Sequence, residues 1–185
     1  MIEKVPVVLD VERTLDVTFT SWHELAGRHA LVAHIDQTRQ DELIDAIEPR
    51  CVDWDDAGHT VFVGALGHGP HGVFALPVVD PTELMAAFAV GSHHDLSPRG
   101  DTAARARLAM QQILRDAPFV PYFIDAAGMK VRFVDPVPPL LAQRIEVAVL
   151  DFDLEALDLI DDDGREPPSL ASSIHRTQRL QLWWD

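Results

Sequence analysis

The chain's apolar positions fall into short runs whose period switches repeatedly between two and about three and a half, and a mixed set of strands and helices follows from that switching. VPVVL at 5–9 and LDVTFT at 15–20 read as opening strands. Ser21 with Glu24 at capping-box spacing predicts a short helix through Trp22 and Leu25 that Gly27 ends. ALVAHI at 30–35 reads as a strand, and Thr38 as the cap of a helix over RQDELIDAIE, with Leu43, Ile44 and Ile47 on one face and Pro49 at its end.

A meander is expected next: a strand at CVDW, the turn DDAG, a strand at HTVFVGAL, the loop GHGPHG and a strand at VFALPVV. Asp80, Pro81 and Glu83 open a helix over LMAAFAV, with Gly91 where its C-terminal cap falls. GSHHDLSPRGD then joins it to a longer helix from about Thr102 to Ala117 carrying Ala103, Ala106, Met110 and Ile113 as a stripe. FVPYFI and MKVRFV form a hairpin around DAAG, LLAQRIEVAV suits a helix while its Ile and Val content leaves a strand open, LEALDLI reads as a short helix, SLASSIHRT as a further helix and RLQLWW as a final strand. The resulting expectation is one α+β domain over residues 1–185, a mixed or largely antiparallel sheet with helices packed on it. No internal sequence repeat stands out.

The order of parts from Phe74 onward resembles an uncharacterised bacterial family, domain-of-unknown-function family forty-two fifty-three. The resemblance is carried by PTELMAAFAVG and a loop ending in Pro98, the long helix, the hairpin FVPYFIDAAGMKVRFVDPVPP, the helix after it and the terminal LWWD. It covers residues 74–185 and leaves the first 73 uncovered. SHH and LRDA stand where the family tends to carry a Gly-Trp-Asn-type loop and an aromatic-Tyr-Gly-Ala stretch. The resemblance implies an α+β architecture and a bacterial cytoplasmic setting, and it brings no activity with it.

Composition narrows the functions. The 185 residues are 47% hydrophobic, enough for a core, and carry 15 Lys plus Arg against 30 Asp plus Glu, a formal net charge of -15. Such a chain repels phosphate backbones, so no nucleic-acid partner is expected. MIEKVPVVLD lacks a continuous apolar leader, no apolar stretch approaches membrane-spanning length, and a cytoplasmic protein without a membrane partner is expected. Cys51 is the only cysteine and reads as a small buried residue rather than a nucleophile.

Several motifs fail on context. Gly67, Gly69 and Gly72 match a dinucleotide glycine pattern, but a strand-like run follows where a helix is needed. His23 and Glu24 begin a zincin motif that Gly27 breaks. Aligning Gly164 with the calcium-loop glycine puts Leu159 and Leu170 at ligand positions, which rules that loop out. Ser92 lacks a nucleophile-elbow setting. Trp22 and Trp54 are expected to pack, and Trp183 and Trp184 to point to opposite faces of the last strand.

Two functional readings remain. The first is a non-enzymatic binding or regulatory protein, such as an immunity-type inhibitor, with no cofactor and with a basic protein as partner. It rests on DFDLEALDLIDDD at 151–163, where Asp151, Glu155, Asp158 and Asp162 would line one helical face. The second is a metal-assisted hydrolase in which His68, His71, His93, His94 and Asp95 converge on zinc.

Overall fold

Pro6 opens a helix rather than a strand. In the computed structural model, which describes residues 5–65, 71–88, 102–151, 155–156 and 169–183, α1 (Pro6–Leu15) has Pro at its first turn and ends at Asp16 in the left-handed region. Val8, Val11 and Leu15, spaced three and four apart, are buried on one face. The two strands expected at 5–9 and 15–20 divide this single helical stripe at Asp10. The chain then runs without regular structure to Phe19, which is buried and whose N–H donates to Glu12 Oε1 at 2.8 Å.

The helix expected from Ser21 is also a strand. β1 (Ser21–Leu25) pairs antiparallel with β2 (Arg28–His34) across Ala26 and Gly27, with φ of 49° and 70°. Positive φ at both central residues is the two-residue turn whose twist matches a hairpin, and it overrides the capping-box spacing. Trp22 does not pack inside: it is 56% exposed, against His29 at 4.7 Å between ring centroids.

Asp36, not Thr38, caps the following turn, its Oδ1 accepting the Thr38 N–H at 2.9 Å. α2 (Gln40–Ile47) buries Leu43, Ile44 and Ile47 as expected. α2 ends just before Pro49, as expected, and Pro49 itself sits in the first turn of a short 3-10 segment, Glu48–Arg50, where a missing N–H costs nothing. That segment leads directly into α3 (Cys51–Asp56), which replaces the strand expected at CVDW. Cys51 and Trp54 lie three residues apart on its buried side, and the Trp54 indole N–H donates to Asp10 Oδ2 at 3.0 Å.

The remaining described elements follow the sequence pattern closely. β3 (His59–Ala65) and β4 (His71–Pro77) form a hairpin, α4 (Pro81–Phe88) and α5 (Thr102–Asp116) follow, and β5 (Phe119–Ile124) and β6 (Gly128–Phe133) make a second hairpin. Asp125 Oδ1 accepts the N–H groups of Ala127 and Gly128 at 2.8 Å and shapes that turn. α6 (Pro139–Asp151), β7 (Glu155–Ala156), α7 (Leu170–Thr177, capped by Ser169) and β8 (Arg179–Trp183) complete the order. β7 replaces the start of the helix expected over LEALDLI. The ladder partner Trp183 lies opposite Glu155, so the backbone of this segment bonds to β8 instead of to itself.

All the described strands join one sheet in the order β1-β2-β4-β3-β5-β6-β8-β7, antiparallel at every pairing except β3 with β5. This is the expected α+β architecture with a mixed sheet, and it holds a repeat that the sequence does not show. β1-β2-β4-β3 and β5-β6-β8-β7 have the same connectivity: a hairpin, then a third strand placed outside the fourth. Because β3 and β5 run parallel, the second set runs opposite to the first, and its helices lie on the other face. Val8, Leu15, Leu43, Ile47 and Trp54 of α1–α3 form one apolar cluster, and Phe88, Met110, Ile145 and Ile174 of α4–α7 form the other. A half-turn about a line across the strands, with a shift along it, relates the halves.

Gly64 makes the junction possible, since a Cβ there would stand 2.7 Å from the Ile124 carbonyl oxygen and 2.9 Å from the Phe88 ring. The space is filled by Phe62, Phe74 and Phe88, with centroids 5.3–5.6 Å apart.

Candidate functional site

Each half of the sheet has a face turned away from its own helices, and the two such faces differ in chemistry. In the first half this far face carries Ala30, Val32, Phe62, Phe74 and Leu76, all at most 2% exposed in the cluster with α4 and α5. In the second half it carries Lys130 and Arg132 of β6 and Arg179, Gln181 and Trp183 of β8. Their strand neighbours Met129, Val131, Leu180 and Leu182 point into the α4–α7 core, and the period of two sends the polar set to the other side, where Lys130, Arg132, Arg179 and Trp183 are half-buried and Gln181 is buried. The apolar cluster on this side reaches β5, with Val120, Tyr122 and Phe123, and contains no residue of β6 or β8.

Register places the polar set in rows. Gly128 lies opposite Trp183, Lys130 opposite Gln181, and Arg132 opposite Arg179. Gly128 admits the indole: a Cβ there would fall 2.5 Å from a Trp183 ring carbon. Lys130 extends over the Phe123 ring, its Nζ 5.6 Å from the centroid, and makes no ion pair among the described residues.

Two arginines directly opposite each other on neighbouring strands repel. Glu48, from the 3-10 turn of the first half, stands between them. Its Oε1 accepts from Arg132 Nη1, and its Oε2 forms an ion pair with Arg179 Nη2 at 2.8 Å. The Glu48 side chain is 11% exposed and the arginines 32% and 34%. One carboxylate thus contacts two guanidinium groups through one nitrogen of each and leaves their other terminal nitrogens without a contact to it. The Nε of Arg179 and the Nε1 of Trp183 are buried and have no acceptor.

Cys51 and Tyr122 lie in the cluster below this bridge. Burial, reinforced by the Glu48 charge, pushes the Cys51 thiol up to about 12, and the same two causes push the Tyr122 phenol up. A thiol held protonated is no nucleophile, and its Sγ donates to the Glu48 carbonyl oxygen at 3.2 Å.

Of the expected metal set only His71 falls within the described residues, on β4 opposite Ala65, with a buried Nδ1 that has no partner. His68, His93, His94 and Asp95 lie outside them, as do Gly91, Ser92, the turn at 161–168 and Trp184. Among the described residues no group of three or more His, Cys, Asp or Glu side chains is placed to hold a metal ion. Gly72 lies within β4, a strand where the dinucleotide pattern needs a helix to follow, as its rejection requires. Of the acidic set, Asp151 is the exposed last residue of α6 and Glu155 belongs to β7, so these two do not share a helical face. Asp158 and Asp162 lie outside the described residues.

The far-face cations were not singled out from sequence, although MKVRFV and RLQLW alternate visibly. Their meeting depends on β6 pairing with β8 and on Glu48, 84 residues before Arg132. No described helix is long and apolar enough to cross a membrane. Neither a family model, nor a curated protein, nor a solved structure matches this chain.

Proposed function

We propose that this chain is a non-enzymatic binding protein whose recognition surface is the far face of β6 and β8. One observation supports the reading. A face that is apolar and roofed in the first half carries, in the second, three cations, an amide and an indole in three register-paired rows. The arginines are ordered beforehand by Glu48, and ordering a side chain in advance lowers the cost of binding. Arg and Trp are also the side chains most enriched where binding energy concentrates.

Site-specific photo-crosslinking tests this. A photoreactive residue at position 130 is compared with one at position 140 on α6, where Leu140 is 76% exposed on the opposite side of the sheet. In cells expressing the protein, discrete adducts from position 130 and none from 140 are expected. The same adducts from both positions, or none from 130, would overturn the reading.

A further inference from the structure

We infer that the far face of β6 and β8 takes an extended acidic segment of a partner protein, one carboxylate bridging Arg132 and Arg179 and the chain running along β8 toward Trp183. The inference rests on the binding reading above and adds the chemistry of the occupant.

Charge selects the sign. Lys130, Arg132 and Arg179 bring three positive charges, and Glu48 together with Glu155, which lies in register with Trp183, returns two negative, so the patch is locally +1 in a chain of net charge -15. Geometry selects a carboxylate for the arginine end. Each guanidinium group is already held by one contact with a different oxygen of the Glu48 carboxylate, and the planar array of donors on each matches a second carboxylate approaching from outside.

Length selects a chain over a small anion. Arg179 and Trp183 are four residues apart on one strand, a span of about 13 Å at about 3.3 Å per residue. A free carboxylate or phosphate fills only the arginine end. An extended peptide with an acidic side chain at one position and an apolar one four residues on presents both to the same side, one to the arginines and the other to the indole, with the half-buried Lys130 between them and Gln181 buried beneath.

Nucleic acid fits less well. A polyanion brings a charge at every nucleotide, and only a short run of them can meet this patch. The rest would face the acidic remainder of the molecule, within reach of a screening length of about 10 Å at 0.1 M salt.

Fluorescence anisotropy on the intact protein is the test. The probe is a dye-labelled seven-residue peptide of serine and threonine carrying one glutamate in second place and one phenylalanine in sixth. Saturable binding is expected. It should weaken at least tenfold when the glutamate is replaced by glutamine, when the two residues are made adjacent, and in the Lys130→Glu variant. Arg179→Lys keeps the ion pair with Glu48 but loses the planar donor array, so it should weaken the peptide severalfold while its melting temperature stays near that of the parent.

Binding that is indifferent to the glutamine replacement, or tighter binding of a labelled oligothymidine or of inorganic phosphate in competition, overturns the inference. Crosslinks from position 130 with no peptide binding at millimolar concentration leave the binding reading standing and sink the acidic-segment claim. Loss of both sinks the two together.

Discussion

The two halves of the sheet share a connectivity and differ in what lies over their far faces. Over the first, α4 and α5 lay down Leu84, Met85, Phe88 and Met110, and the strands beneath present Val32 opposite Phe74. Over the second there is no apolar roof among the described residues, and Lys130 stands opposite Gln181. A covered face cannot hold an unpaired charge, because desolvating one costs several kcal/mol. An uncovered face cannot hold a broad apolar surface without inviting association. The same backbone pattern therefore accommodates opposite residues.

The sharpest way to break this comparison is to exchange the chemistries. Val32→Arg puts a cation under α4 and α5 with no acceptor. The cost is expected to match much of a domain's total stability of about 5–15 kcal/mol, so the variant should lose its cooperative melting transition. Lys130→Val, in the corresponding place of the second half, should shift stability by less than about 1 kcal/mol. Thermal denaturation followed by circular dichroism measures both. A Val32→Arg protein that melts like the parent would show that the first far face is not the sealed interior described above.

The next effect concerns the bridge between the halves. Removing one partner of a buried ion pair costs about 3–5 kcal/mol, and the partial exposure of both arginines lets water recover some of it. Glu48→Gln, which also restores the repulsion between Arg132 and Arg179, is therefore expected to cost about 2–3 kcal/mol and to lower the melting temperature by roughly 4–12 °C. The double variant Glu48→Gln with Arg132→Gln should regain part of that loss. An unchanged melting temperature in the single variant would mean that the halves hold together without the bridge.

The smallest effect separates polar groups that have found partners from those that have not. His59, at the start of β3, has a buried Nδ1 without an acceptor or donor, and desolvation holds its pKa below the ordinary 6.5. The folded state then binds fewer protons than the unfolded state just below that pH, so stability falls as pH drops from about 6.5 through the lowered value. His59→Gln should flatten this part of the curve of melting temperature against pH and leave it unchanged above pH 7.5. An identical curve for variant and parent would remove His59 from the account.

What could be read in the chain divides along the same physical line. α2, β3, β4, α4, α5, β5, β6, α7 and β8 were legible because a periodic apolar stripe and a local stop or start signal agreed at each. The failures came where two local signals competed. Val5 to Leu15 has enough branched residues to look extended, yet its three-and-four spacing pays off only when a sheet is there to receive Val8, Val11 and Leu15. Ser21 and Glu24 offer a helix cap, but the left-handed turn at Ala26 and Gly27 commits the segment to a hairpin. CVDW alternates like a strand and becomes helical because Cys51 and Trp54 fill one side of the first half's core.

Of the proposed site, the sequence shows only that Lys130 and Arg132 share one side of a strand, and Arg179, Gln181 and Trp183 one side of another, since alternation is a property of a single strand. By itself the sequence also determines the fold class, the strong acidity and the order of most elements, because each depends on composition or on near neighbours. The tertiary structure alone decided that β6 lies against β8, that the two halves repeat with opposite faces covered, and that Glu48 sits between the two arginines. Those facts depend on which distant surfaces exclude water from one another, and a pattern read over a dozen residues carries no record of that choice.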